Sequence, residues 1–309
     1  MKNASFSEKE SYCQFLFDQN APFWHIATPG SLTEILFTCP EDFRFGMSQI
    51  AICAIECKLH TYAFQLMSNH LHLITGAPDA RVCRVFLDRL ASRLSRFFSG
   101  KGRPADLSAF VCDPFPIESL QSLRNSIVYT HRNGYVADSS QTPYSYMWGS
   151  GGLYFGESIT SLKAVKYSDL TVKDRRLLTC SRTVMLPDET TVRNGCISPE
   201  SFCDWKTGIN LFRDAHQYFN MLTKNYEAYA EFAALLGESI VLTDEEMYAA
   251  ACSLSRKQFN VGNPRDLSEG AKTDLARRLH YDYHAGNNQI RRLLRLEQSV
   301  VDSLFPSSW

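Results

Sequence analysis

The run Phe64-Gln65-Leu66-Met67-Ser68-Asn69-His70-Leu71-His72-Leu73-Ile74 carries two histidines one residue apart inside an apolar stretch. Side chains alternate faces along a β-strand, so His70 and His72 share one face while Leu71 and Leu73 turn to the core. Two imidazoles on one face of a rigid strand can begin a divalent-metal site; a surface strand that merely happens to carry two histidines is the plain alternative. A second set of reactive groups lies in Asn125-Ser126-Ile127-Val128-Tyr129-Thr130-His131-Arg132-Asn133. Tyr129 and Asn133 are four apart and share a face of a helix. A tyrosine can attack a phosphodiester and hold the product covalently until the step is reversed. Its hydroxyl ionises only near pH ~10, so a cation that polarises the phosphate would assist it as a Lewis acid. Asn133 would add a neutral oxygen ligand of the kind Mg2+ or Mn2+ accepts. The alternatives are a half-buried packing tyrosine and an Asn-Gly pair that ends a helix.

The elements that must position these groups are legible as periodicities. Residues 21–28 (APFWHIAT) and Glu34–Thr38 read as strands, and Asp42 to about Lys58 as a helix with Ile50, Ala54 and Cys57 on one side. Thr61–Met67 and His70–Thr75 read as two strands joined by the short Ser68-Asn69 link. Asp79–Phe98 is an amphipathic helix with the apolar stripe Phe86, Leu90, Leu94, Phe97, ended by Gly100-Lys101-Gly102-Arg103-Pro104. Ile117–Tyr135 reads as the next helix, closed by Asn133-Gly134. The expected fold class is α+β: an antiparallel sheet with helices over residues 1–155, then a mostly helical C-terminal region. Residues 156–200 read as a linker or small β element, and 201–309 as helical, with a break at Asn263-Pro264-Arg265 and a final helical segment from near Ser268.

Charge is local rather than global. The 309 residues carry a formal net charge of −1, which argues neither for nor against nucleic acid. From Arg81 to Pro104, however, seven basic residues face one acid, Asp88. Arg89, Arg93 and Arg96 recur at helical spacing, and Lys101 and Arg103 follow, a stripe suited to phosphates or simply a solvated face. Leu275–Phe305 resembles a helix-turn-helix, with Ala285-Gly286-Asn287 as the turn and Arg291, Arg292 and Arg295 as further candidates for DNA contact; an ordinary helical hairpin is the alternative. His280 and His284 are four apart, but HYDYH lacks the glutamate of a zinc protease helix.

Hydrophobic residues make up 44% of the chain, enough for a sizeable core. The ten cysteines form no CxxC pair and read as reduced thiols, with Cys53 and Cys57 on a packing face. The start, MKNASFSEKESY, has no apolar signal segment, and no stretch approaches the roughly 20 apolar residues of a membrane helix. A cytoplasmic protein with no membrane partner is the expectation.

LMSNHLHLI resembles the M-P-N-H-x-H-L strand of the single-tyrosine HUH transposases, and in particular the REP-associated tyrosine transposases. Tyr129-xxx-Asn133, followed by YSYMWGSGGLYF, resembles that family's Y-xxx-N-P and Y-x-W-S-S patterns. Trp24-His25 and Leu36-Phe37 resemble its opening strands. The resemblance covers about residues 20–155. It implies a ferredoxin-like (RRM-like) HUH nuclease domain that cleaves single-stranded DNA bearing a hairpin. His70, His72 and Asn133 would hold Mg2+ or Mn2+, and Tyr129 would form a 5′-phosphotyrosine link and release a 3′-OH. The chain departs from the family at Ser68 and Gly134, where the family has proline, and between Lys101 and Pro116, which lacks its aromatic signature. A non-catalytic DNA-binding regulator using the helix-turn-helix, and a phosphodiesterase in which water attacks, are the competing expectations. Monomer and homodimer stay equally open.

Overall fold

The computed structural model describes residues 6–30, 33–137, 146–156, 163–224, 242 and 244–306. They fall into two compact units, residues 1–219 and 220–309.

The first unit is built on a four-stranded antiparallel sheet. Helix α1 (Phe6–Asn20) leads into β1 (Phe23–Ala27), followed by α2 (Pro40–Cys57), β2 (His60–Leu66), β3 (Leu71–Gly76), α3 (Ala80–Gly100), β4 (Phe115–Ile117) and α4 (Leu120–Ala137). The strand order is β2-β3-β1-β4, so the hairpin β2–β3 lies to one side of β1 and β4 to the other. Every strand residue of β3 is buried, because helices cover both faces. Phe64, Leu66, Leu71, Leu73 and Ile26 enter one core with Met47, Ile50 and Cys53 of α2 and Phe86, Leu90, Leu94 and Phe98 of α3. The alternate residues, among them His25, Gln65 and His72, point to the opposite face, where α4 lies against β2 and β3.

Local signals explain the helix ends. Asp79 caps α3 by accepting from the amides of Arg81 and Val82. Pro40 occupies the first turn of α2, where its missing N–H costs nothing. The expected strand at Glu34–Thr38 is absent: Leu36 and Phe37 instead give both amides to the Ser68 carbonyl, at 2.9 and 2.8 Å, and no ladder forms. β4 begins two residues before the expected helix; Pro116 within it has no N–H, which confines it to a sheet edge. Asn133-Gly134 does not close α4, which runs on to Ala137. The other edge of the sheet is covered: Leu66 donates to the Trp148 carbonyl, Ser150 to the Phe64 carbonyl, and the Tyr146 hydroxyl to the Leu66 carbonyl. Tyr144 and Ser145 of the quoted motif lie outside the described residues.

Of the two expectations for residues 156–200, the described residues bear out the small β element and not the linker. β5 (Val165–Lys166), β6 (Thr191–Arg193) and β7 (Cys196–Ile197) form a three-stranded sheet, with α5 (Val172–Thr179) between the first two. It packs on α2: Tyr167, Leu186 and Ile197 are buried against Ala51 and Ile52. The expected boundary near residue 155 therefore does not separate two bodies. α6 (Trp205–Asn210) and the start of α7 (Ala215–Lys224) also belong to the first unit.

The second unit contains α8 (Asp244–Phe259), α9 (Glu269–Tyr281), α10 (Asn287–Leu294) and α11 (Gln298–Leu304). A three-residue turn, Arg295-Leu296-Glu297, joins the last two, with Arg295 in the left-handed region at φ 54°. Ile290, Leu293, Leu294, Leu296 and Val301 make its core. No helix among the described residues is long and apolar enough to cross a membrane.

Candidate active site

The face of the sheet beneath α4 gathers four aromatic side chains. The ring of His72 lies 5.1 Å from that of His70, 5.4 Å from that of His25 and 5.5 Å from that of Tyr129, centre to centre. His25 and Tyr129 are 6.4 Å apart. The structure thus brings together His70, His72 and Tyr129, as the sequence predicts, and adds His25. The register explains His25: β1 pairs with β3 so that Ala27 lies opposite His72, and His25, two residues back, shares its face.

Hydrogen bonds set the tautomer of His70. Asn69 spends its amide nitrogen on two carbonyls, Gly30 at 2.7 Å and Thr33 at 3.0 Å. Its Oδ1 therefore faces His70 Nδ1, at 2.8 Å, and can only accept. Nδ1 of His70 carries the proton, and Nε2 holds the lone pair a metal needs. Gly30 makes room for this ring, since a Cβ there would stand 2.8 Å from His70 Nδ1. His72 Nδ1 is 3.2 Å from His25 Nε2, so one proton is shared between the two rings. When His72 donates it, the lone pair of His72 sits on Nε2 as well. Burial holds both rings neutral: it drives His25 well below the usual histidine range, with His72 adding to the effect, and it pushes His72 down to about 3. Neutral imidazole is the form that binds metal.

Two amides could complete such a donor set. Asn133 lies one turn beyond Tyr129, and its Nδ2 donates to the Tyr129 carbonyl at 3.1 Å, which leaves Oδ1 as its ligating atom. Gln65 sits opposite His72 in the ladder, is fully buried, and has no hydrogen-bond partner at either amide atom. Among the described residues no group of three His, Cys, Asp or Glu side chains is arranged to hold a metal. Of the donor types present, imidazole suits borderline divalent ions and an amide oxygen suits harder ones such as Mg2+ or Mn2+.

Helix α4 is held by two buried side chains, Arg124 and His131. Arg124, 2% exposed, forms a two-pronged pair with Glu10 of α1 at 2.7 and 3.1 Å and donates to the Leu211 carbonyl. His131 is buried, bridging the Tyr218 hydroxyl at 2.9 Å and the Ser150 hydroxyl at 2.8 Å. These anchors fix which face of α4 Tyr129 shows to the sheet. Tyr129 itself is 4% exposed.

The basic stripe of α3 lies in the other layer. Its residues were expected to lack acids nearby, yet α2 supplies them. Glu56 pairs with Arg89 at 3.3 Å and Arg93 at 2.8 Å, and the buried Asp42 with Lys101 at 3.0 Å and Arg103 at 2.7 Å. Arg96 has no acidic partner among the described residues. In the second unit Arg291, Arg292 and Arg295 are exposed, and Arg292 pairs with Asp244 at 2.9 Å.

No protein-family model matches this chain, and no curated protein or solved structure does so either.

Proposed function

We propose that the first unit is a ferredoxin-like HUH nuclease domain that cleaves and transfers single-stranded DNA through Tyr129. The observation that carries this reading is the Tyr129 ring 5.5 Å from that of His72, on a helix laid over the strand of the histidine pair. The order β2-β3-β1-β4, with helices after β1 and β3, supports the fold part of the proposal. His70 and His72 would hold Mg2+ or Mn2+ through Nε2, with an amide oxygen from Asn133 or Gln65. When bound, the ion would draw charge from the scissile phosphate.

Tyr129 Oη would bond to phosphorus as the bond from phosphorus to the 3′ oxygen breaks. The phenolic proton leaves Oη, and the 3′ oxygen departs as a hydroxyl. Attack by a 3′-hydroxyl on the phosphotyrosine rejoins a strand and restores the phenol, so transfer needs no external energy. Single-strand preference follows from access, because an unpaired strand offers both its backbone and its bases. The protein's place would be the cytoplasm, with the nucleoid.

A second reading, a DNA-binding regulator without chemistry, is favoured by the burial of Tyr129 and by the α9-turn-α10 arrangement in the second unit, whose turn holds Ala285 and Gly286. Labelled single-stranded hairpins incubated with the protein and Mn2+, then run on a denaturing gel, separate the two. Tyrosine transfer gives a metal-dependent, denaturant-stable band that is lost in Tyr129→Phe. Retarded DNA on native gels with no such band would select the regulator.

A further inference from the structure

On the sheet's other side, away from the histidines, α2, α3 and the segment after α5 enclose a cleft of about 830 Å3. Its wall carries Phe45 and Phe97, stacked with centres 3.7 Å apart and planes 6° from parallel. Phe97 was expected in the core stripe of α3, but Phe98 takes that place and leaves Phe97 half-buried. Gln49 lines the same cleft and is 1% exposed. Its Oε1 accepts from Arg93 Nη1 at 3.2 Å, and its Nε2 has no hydrogen-bond partner. The amide cannot be turned round, because a guanidinium only donates and must face the oxygen. A buried NH2 with nothing to donate to is destabilising, and it asks for an acceptor from a ligand. Arg96 reaches the cleft with the Ser92 carbonyl as its one partner among the described residues, through Nε at 3.3 Å.

The missing partner must therefore bring acceptors for Gln49, negative charge for Arg96 and a flat apolar part for the phenylalanine pair. We infer that this cleft binds a nucleotide: the base rests against Phe45 and Phe97 with an acceptor edge on Gln49, and the phosphate meets Arg96. The volume lies in the range of small-molecule sites, and base-on-aromatic stacking is a common mode of holding an unpaired base. The inference is independent of Tyr129 and of any metal. A free mononucleotide and an unpaired residue of a strand present the same chemistry.

Calorimetric titration of the full chain with AMP, with a short oligothymidylate and with inorganic phosphate tests it, alongside Gln49→Leu and Arg96→Gln. Either nucleotide probe should bind, and each substitution should weaken it about tenfold. Gln49→Leu removes an unsatisfied buried donor but also the acceptor of Arg93 Nη1, so the melting temperature of each variant is read alongside, and weakened binding counts only where that temperature is kept. AMP binding assigns the site to free nucleotides; binding of the oligonucleotide alone assigns it to a strand. Binding of neither probe at millimolar concentration, binding that both substitutions leave unchanged, or phosphate binding as tight as AMP would overturn the inference.

Discussion

Asp42→Ala is the substitution whose effect the structure fixes most firmly, and it bears on what the basic stripe is for. The Asp42 carboxylate is wholly buried at the start of α2. It accepts from Lys101 Nζ at 3.0 Å, Arg103 Nη2 at 2.7 Å, and the amide and hydroxyl of Thr38, each at 3.1 Å. Removing one partner of a buried pair costs roughly 3–5 kcal/mol when the other is left dry. Here the side chains of Lys101 and Arg103 are 26% and 40% exposed and can turn to water, which lowers the expectation. A loss of about 2–3 kcal/mol remains, or a fall of roughly 5–10 °C in the melting temperature of a unit this size.

The pH dependence follows from the same contacts. Burial alone would raise the carboxyl, but the bonds from Lys101, Thr38 and Arg103 outweigh it and hold the group well below the usual carboxylate range. A depressed carboxyl stabilises fully above the unfolded pKa of about 4 and loses that contribution as pH falls below it. The gap between wild type and Asp42→Ala, read by guanidinium unfolding, should therefore be full at pH 7 and smaller at pH 3.5. A gap under about 1 kcal/mol at pH 7, or one unchanged at pH 3.5, refutes the reasoning. Lys101 and Arg103 would then be free for phosphates, as their sequence spacing first suggests.

Other outcomes are equally specific. His25→Phe keeps the ring volume but removes the partner of His72 Nδ1; affinity for Mn2+ should fall about 10–100-fold, and unchanged affinity would remove His25 from the site. Three buried histidines, His25, His72 and His131, sit below their ordinary range because of burial. The unfolded chain binds protons that the folded chain refuses, so stability is full above about pH 6.5 and falls as pH drops, by up to about 1.4 kcal/mol per unit for each ring. In unfolding curves from pH 7 to 5, His131→Gln should show a shallower decline than wild type, and an equal slope would count against it. Arg124→Met should cost about 2–4 kcal/mol by chemical denaturation, since it strips the Leu211 carbonyl of its donor and leaves Glu10 with the longer pair to Arg213, at 3.6 Å; a loss below 1 kcal/mol would show that α4 is anchored elsewhere.

The pattern of a strand or helix is local, and those parts were readable. Alternation in LHLI placed His72 opposite Leu71 and Leu73, and helical spacing found α2, α3 and α4. What failed depended on distant partners. His25 gains its meaning from a register with His72, 47 residues on, which no window along the chain contains. The charge count along α3 could not see Glu56 and Asp42, which arrive from α2. β4 is three residues with a proline at its centre and gives no periodic signal. Gly134 suggested a helix end, yet α4 continues to Ala137 with Arg124 and His131 tied to other elements. Asn69 was legible only as a turn residue, although its amide is what settles the His70 tautomer.

The central claim is that Tyr129 takes the 5′ end of a cleaved strand. Peptide mapping by mass spectrometry, after incubation with a single-stranded hairpin and Mn2+ and digestion of the DNA, tests it directly. The account predicts a nucleotide mass on the peptide that contains Tyr129 and none when chelator is added. Cleaved DNA with an unmodified Tyr129, or an adduct on a different residue, would contradict it.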